Sequence, residues 1–338
     1  MINRRDLIIS SALAGMAGVA GAQTKYKSEY RLSLVPGPGS TWYFAADRFA
    51  ALVRENTGGR INMRLFPGSS LVQGAQDREL VALRQGVIDV IVGPTINYAG
   101  TVKDFVALHL PFLMPSQKAV DAVLASDALQ KDFYGIVRRS GMEPLASAEY
   151  GYFQLVNSKR RVARPGDAEG LKIRTTATPM QQDIMNAFGA NPTTMSWADA
   201  QPALSSGAID GLTLTLEQMI AAKVPVLGQK YVTKWNAFNE LIHFCVANPV
   251  WSTWTAADQA IVRDAARQAA QETTARVRQV QAAEQALKQQ GVEIYTPSAA
   301  EMQEWQIAAR RPYAKWKATG NPELISRLEE VVARALKG

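Results

Sequence analysis

The chain has 338 residues, a formal net charge of +7, one cysteine and two histidines. A single thiol excludes an internal disulfide, so a chain of this length must be held by its core. Lys and Arg are scattered, with no basic block interleaved with aromatics, which argues against a nucleic-acid partner and suits a small anionic ligand.

The chain opens Asn3-Arg4-Arg5-Asp6-Leu7-Ile8, runs through an apolar stretch to Val19 and reaches Ala20-Gly21-Ala22. That order of charged, apolar and small residues predicts an export signal over 1–22 and therefore a periplasmic protein. The paired arginines resemble a twin-arginine signal, but Asn3 stands where Ser or Thr is usual, so the general secretory route stays open. No later segment reaches the roughly 20 apolar residues of a membrane-spanning helix.

Tyr30 to Val35 predicts a strand, Pro36-Gly37-Pro38-Gly39-Ser40 a turn, and Trp42 to Glu55 a helix with Phe44, Phe49, Leu52 and Val53 on one side. The turn is not a dinucleotide fingerprint, because no third Gly follows at the required spacing. Ile61 to Phe66 predicts a second strand, Gln76 to Gln85 a helix, and Val87 to Val92 a strand buried on both faces of a parallel sheet. An α/β class follows.

The octapeptide Ala82-Leu83-Arg84-Gln85-Gly86-Val87-Ile88-Asp89 returns in pattern as Ala203-Leu204-Ser205-Ser206-Gly207-Ala208-Ile209-Asp210. Each copy reads as a helix stopped by Gly and leading through a short apolar pair and Asp into a strand. Strand-like runs precede both helices, Ile61 to Ser70 and Gly189 to Thr194, so the pattern predicts two similar α/β lobes with a ligand cleft between them. Short Gly-terminated helices also recur in unrelated α/β proteins, so the repeat does not decide alone. Tyr150 to Val156 and Phe238 to Ala247 are extended stretches suited to hinge strands. From Thr255 a helical pattern runs almost unbroken to Gly291, roughly 35 residues or about 50 Å, enough to bridge both lobes.

Reactive groups are sparse. His109 and His243 lie far apart and outside any metal-ligand spacing, and Cys245 sits between Phe244 and Val246 as a buried hydrophobe, so neither a metal nor another cofactor is expected. Glu149, Asp199, Asp210 and Glu217 could supply an acid and base pair only if a cleft brought two together; capping or solvation is the alternative. Gly170-Leu171-Lys172-Ile173-Arg174 leads from a turn into a strand and places Arg174 at its exit, where strands of α/β lobes face a cleft. A guanidinium there suits a carboxylate ligand, or else a salt bridge to Asp183 or Glu217.

Taken together, Asp167-Ala168-Glu169-Gly170-Leu171-Lys172-Ile173-Arg174, Phe188-Gly189-Ala190-Asn191-Pro192-Thr193-Thr194-Met195 and Ala203 through Gly211 resemble the DctP-type solute receptors of TRAP (tripartite ATP-independent periplasmic) transporters. Phe66-Pro67-Gly68-Ser69-Ser70-Leu71 and Leu110-Pro111-Phe112 extend the resemblance over nearly the whole chain. It implies a non-catalytic, two-lobed periplasmic receptor that closes on an organic acid, grips its carboxylate with Arg174 and delivers it to membrane-embedded TRAP permease subunits. The expected lobes are 25–148 with about 240–279, and 149–239 with about 280–338. A periplasmic enzyme acting on a carboxylate, or a ligand sensor for a membrane kinase, are the alternatives.

Where the sialic-acid-binding members of that family carry polar pocket residues, this chain has Val35, Pro94, Phe153, Ala177 and Leu214. Trp197 takes the place of an aromatic that packs on the ligand, and Asn97, Gln154, Thr213 and Thr215 are the expected orienting polar groups. Hydroxyl-rich sugar acids would leave unpaired polar groups against such walls, at about 1–3 kcal/mol each, so the expected ligand is a monocarboxylate with an apolar or aromatic body.

Overall fold

The computed structural model describes residues 26–176 and 178–337. The expected export signal and Ala177 lie outside the described residues.

One half of the molecule begins with β1 (Tyr30–Ser33), α1 (Thr41–Asn56), β2 (Met63–Phe66), α2 (Glu79–Arg84), β3 (Val90–Gly93), α3 (Gln117–Leu124) and α4 (Tyr134–Arg139). Strand β1 runs parallel to both β2 and β3. After the long β4 (Met142–Asn157) the pattern recurs as β5 (Lys172–Thr175), α5 (Pro179–Ala187), β6 (Asn191–Thr194), α6 (Trp197–Ser206), β7 (Gly211–Leu214) and α7 (Leu216–Ala221), with β5 parallel to β6 and β7. The second long strand, β8 (Tyr231–Ala247), returns the chain and is followed by α8 (Asn248–Trp251), α9 (Ala256–Val277), α10 (Val280–Gln289), β9 (Glu293–Tyr295), α11 (Ala299–Thr319) and α12 (Pro322–Lys337).

The sheet order is β2-β1-β3-β8-β4-β7-β5-β6, with β9 also on β8. Antiparallel β4 and β8 belong to both halves: the end of β8 pairs with β3, and the end of β4 pairs with β7. The two expected hinge stretches are parts of these strands. Their pairing slips at Pro144/Ala146, Glu149/Gly151 and Phe153/Leu155, and Gly151 (φ +100°) and Asn236 (φ +48°) adopt the left-handed backbone that such irregularities need.

The repeated octapeptides match bond for bond. Gly86 (φ +74°) and Gly207 (φ +73°) end α2 and α6, and the next N–H returns to Ala82 O at 2.8 Å or Ala203 O at 2.9 Å. Asp89 then exchanges bonds with the backbone of Arg31, accepting its N–H at 2.8 Å, and Asp210 does the same with Lys172 at 2.9 Å. Both aspartates are buried, so each repeat is a carboxylate brace tying a helix-to-strand turn to the first strand of its half.

The expected long helix is broken. Thr255 caps α9 through the Asp258 N–H, and an Ala-rich strip with Val262 and Val277 packs it against α1 and β4. Helical geometry stops at Arg278 and Gln279 before α10 begins, although neither Gly nor Pro occurs there. The sequence carries no stop because the break is tertiary: Arg278 reaches Glu149 Oε2 of β4 at 2.7 Å and Asp121 Oδ1 of α3 at 2.6 Å. The C-terminal helices also depart from the expected assignment of 280–338 to one half. Helix α11 docks on α5, with Trp305 between Phe188 and Trp235, whereas the apolar stripe of α12 packs on α3 in the other half.

Asp89→Ala and Asp210→Ala should each leave a part-buried N–H without its carboxylate partner and lower stability by about 1–3 kcal/mol, measurable as a reduced urea midpoint. A negligible effect at either position would contradict their equivalence as braces.

Candidate functional site

The strand ends of both halves meet around a cavity of about 50 Å³. Val35, Pro94 and Asn97 reach it from the loops after β1 and β3, Arg174, Trp197, Thr213 and Leu214 from the other half, and Phe153 from hinge strand β4. Eight of the eleven expected ligand contacts are thereby brought together. Trp42, Tyr150 and Phe153 form an edge-to-face aromatic wall, with centroid separations of 5.6 and 5.5 Å. Gly93 makes room for it, since a Cβ there would stand 2.5 Å from the Trp42 ring.

Arg174 is 8% exposed. Its Nε donates to Met195 O at 3.1 Å, while its buried Nη2 has no hydrogen-bond partner. Among the described residues no carboxylate lies within ion-pair distance: Asp183 is held by Lys315 and Trp316, and Glu217 accepts the Thr41 N–H. Burial alone draws the guanidinium pKa down from 12.5 to about 10. Asn97 shows the same demand: its Oδ1 accepts from Gln76 Nε2 at 3.0 Å, and its buried Nδ2 has no partner. The two unsatisfied groups lining the cavity are both donors, so an anion or another oxygen acceptor would complete them.

Gln154 does not join this cavity. Successive strand residues face opposite ways, and with Phe153 toward the cleft Gln154 points to the other side of β4, where its Nε2 meets Asn236 Oδ1 at 2.7 Å. A second cavity of about 620 Å³ lies on that face, beneath the junction of α9 and α10, and is lined by Gln154 and by Thr215, which caps α7.

Local patterns did not reveal the contacts across the cleft. The Trp197 N–H donates to Gln76 Oε1 at 3.0 Å, Gln181 Nε2 meets His109 Nε2 at 2.8 Å, and the Thr41 N–H donates to Glu217 Oε1 at 2.8 Å. His109 also contacts Glu240, the one acid lining the cleft cavity among the described residues. The Glu217 carboxylate sits on the first turn of α1, where the helix dipole favours negative charge, although desolvation raises its pKa. No sequence spacing could pair these residues, because each partner is on a different half.

The four other carboxylates do not form an acid and base pair. Glu149 is bound by Arg278 and Asn239, Asp199 caps α6 with Ser196, Asp210 is the brace described above, and Glu217 spans the cleft. Cys245 is buried in β8 with its thiol pKa pushed up by desolvation, and burial holds His243 down to about 3. Among the described residues no three His, Cys, Asp or Glu side chains are grouped to hold a metal.

Residues 32–319 match the DctP family, bacterial extracellular solute-binding protein, family 7. The chain belongs to the DctP family. A Ralstonia eutropha H16 TRAP periplasmic solute-binding protein, solved with (S)-2-hydroxy-2-methyl-3-oxobutanoate, is 40% identical, with a TM-score of 0.89 and coverage of 91% of this chain and 100% of that one. A Bordetella bronchispeptica TRAP periplasmic solute-binding protein, with density assigned to pantoate, is 26% identical at a TM-score of 0.82, covering 90% and 99%. A Sinorhizobium fredii protein is 32% identical over 243 residues, 69% of this chain but only 44% of that longer relative. The fold is that of the two-lobed TRAP receptors, the family is periplasmic, and among the described residues no helix is long and apolar enough to cross a membrane.

Glu217→Ala removes a cross-cleft bond without altering the cavity lining. It should weaken ligand binding roughly five- to thirtyfold, corresponding to about 1–2 kcal/mol, by calorimetry. Unchanged affinity would mean that the contact does not support closure.

Proposed function

We propose that this DctP-family chain is a periplasmic receptor for a short aliphatic monocarboxylate, especially one with a 2-hydroxy or 2-oxo group, which it presents to TRAP permease subunits. The observation that carries the reading is Arg174: a buried guanidinium with a free Nη2 and no protein counter-charge among the described residues. A ligand carboxylate would supply that charge, and a second ligand oxygen would accept from Asn97 Nδ2. Val35, Pro94, Phe153 and Leu214 would enclose the body, with Trp197 and Thr213 completing the walls. The ligand of the 40% identical Ralstonia protein, a short branched acid with hydroxyl and keto groups, supports this class.

Size narrows the sequence-based expectation. A dry cavity of about 150 Å³ accommodates benzene, whereas the cleft cavity measures about 50 Å³, so it favours the shortest acids and would have to widen for any larger body. Gln154 belongs to the hinge rather than to the ligand in this reading. The lobes divide near residues 148 and 240, with α12 packed on the first lobe, and export follows the N-terminal signal. A receptor role is favoured over an enzyme because the unsatisfied groups lining the cavity among the described residues, Arg174 Nη2 and Asn97 Nδ2, are hydrogen-bond donors rather than a nucleophile or a free base.

A thermal-shift series would test the assignment with pyruvate, lactate, 2-hydroxyisobutyrate, (S)-2-acetolactate, phenylpyruvate, succinate and glucuronate. At 100 times its dissociation constant a ligand adds about 2.7 kcal/mol, so short 2-oxo or 2-hydroxy monocarboxylates should raise Tm by several degrees. Arg174→Ala should abolish the shift while keeping the circular dichroism spectrum. Stabilisation confined to succinate or glucuronate, or retained by the variant, would refute the ligand assignment.

A further inference from the structure

The cleft is divided into two chambers. Outside the cavity that holds Arg174 lies a larger space of about 450 Å³, bordered mostly by Pro36-Gly37-Pro38, Pro67-Gly68, Ala198, Ala221 and Ala222, with Ser40 and Gln201 as polar members of its lining. Among the described residues only Val35, Trp197 and Gln218 line both. Trp197 is the largest of the three, and its position is fixed: Ser196 caps α6 immediately before it, and its N–H is held across the cleft by Gln76 Oε1. Beside it the halves meet closely, since a Cβ on Gly74 would stand 3.0 Å from the Ala198 Cβ. The indole therefore borders the small polar-ended inner chamber on one side and the larger outer chamber on the other.

We infer that Trp197 is a chain-length selector, closing the inner chamber against an outer chamber whose Pro, Gly and Ala lining would otherwise accept an alkyl tail. The inference rests on the monocarboxylate reading above. An acid gripped by Arg174 and too long for the inner chamber must displace the indole or hold the halves apart, losing the Gln76 contact. Without the ring, the chambers become continuous and the tail gains an apolar path.

The test is calorimetry with a series that keeps one head group: pyruvate, 2-oxobutanoate, 2-oxohexanoate and 2-oxooctanoate. The wild type should bind the two short acids and discriminate against 2-oxooctanoate at least tenfold. Trp197→Ala should bind 2-oxooctanoate at least tenfold more tightly than the wild type does, and adding Ala222→Leu to refill the outer chamber should reverse that gain. Trp197→Phe, which preserves an aromatic of smaller reach, should extend tolerance to 2-oxohexanoate. Wild-type binding of 2-oxooctanoate as tight as pyruvate would overturn the selector, as would Trp197→Ala and Trp197→Phe variants that retain pyruvate but gain no longer acid. Loss of all binding in Trp197→Ala, with Trp197→Phe gaining no length, would also overturn it by making the ring a pure ligand contact. If the wild type binds neither a member of the series nor its 2-hydroxy counterpart, the monocarboxylate reading itself fails.

Discussion

A guanidinium buried without a protein counter-charge is the constraint on which the rest of this structure depends. Removing a charge from water is costly unless it is paired, and Arg174 retains a buried N–H that the surrounding described residues do not satisfy. If, as proposed, the two halves come together over the strand ends, that cost is incurred on closure, and closure and anion capture would be linked by the same atom. Selectivity for charge thus precedes any fit of the ligand body. Neutral molecules of suitable shape leave the penalty in place, while a carboxylate both neutralises the arginine and stabilises the closed arrangement.

The architecture suits the motion that this linkage would require. Each half has a parallel three-strand unit with its own buried aspartate brace, whereas among the described residues the chain passes between the halves through β4, β8 and the later helices. The shared strands slip in register near one end, at Pro144/Ala146, and again between the two units, at Glu149/Gly151 and Phe153/Leu155, with Gly151 and Asn236 in left-handed backbone. In the receptor reading, bending would be easiest where the ladder already slips. Arg278 adds a fixed point behind it by joining α3, β4 and the α9–α10 junction.

Features governed by neighbouring residues were legible in the sequence. Gly86 and Gly207 announced two helix ends, Asp89 and Asp210 announced the turns after them, and Leu171 with Ile173 placed Arg174 at a strand exit. Apolar replacements at Val35, Pro94, Phe153 and Leu214 likewise marked residues that meet in one cavity. Features set by distant partners were not legible. Gln154 was expected in the cleft but faces the opposite side of its strand, where Asn236 satisfies it, and the break at Arg278 reflects two acids far away in sequence. Gln76, His109 and Glu217 gave no local signal because their roles arise only when the halves meet.

The cross-cleft bonds at Gln76, His109 and Glu217 stand on separate elements of two internally braced bodies. Such bonds cannot be relinquished one at a time, because an angular error that lengthens one displaces the others along with it. In the receptor reading proposed above, closure would therefore behave as a threshold rather than a sliding scale, and over a range of ligand sizes affinity would show a plateau followed by a step.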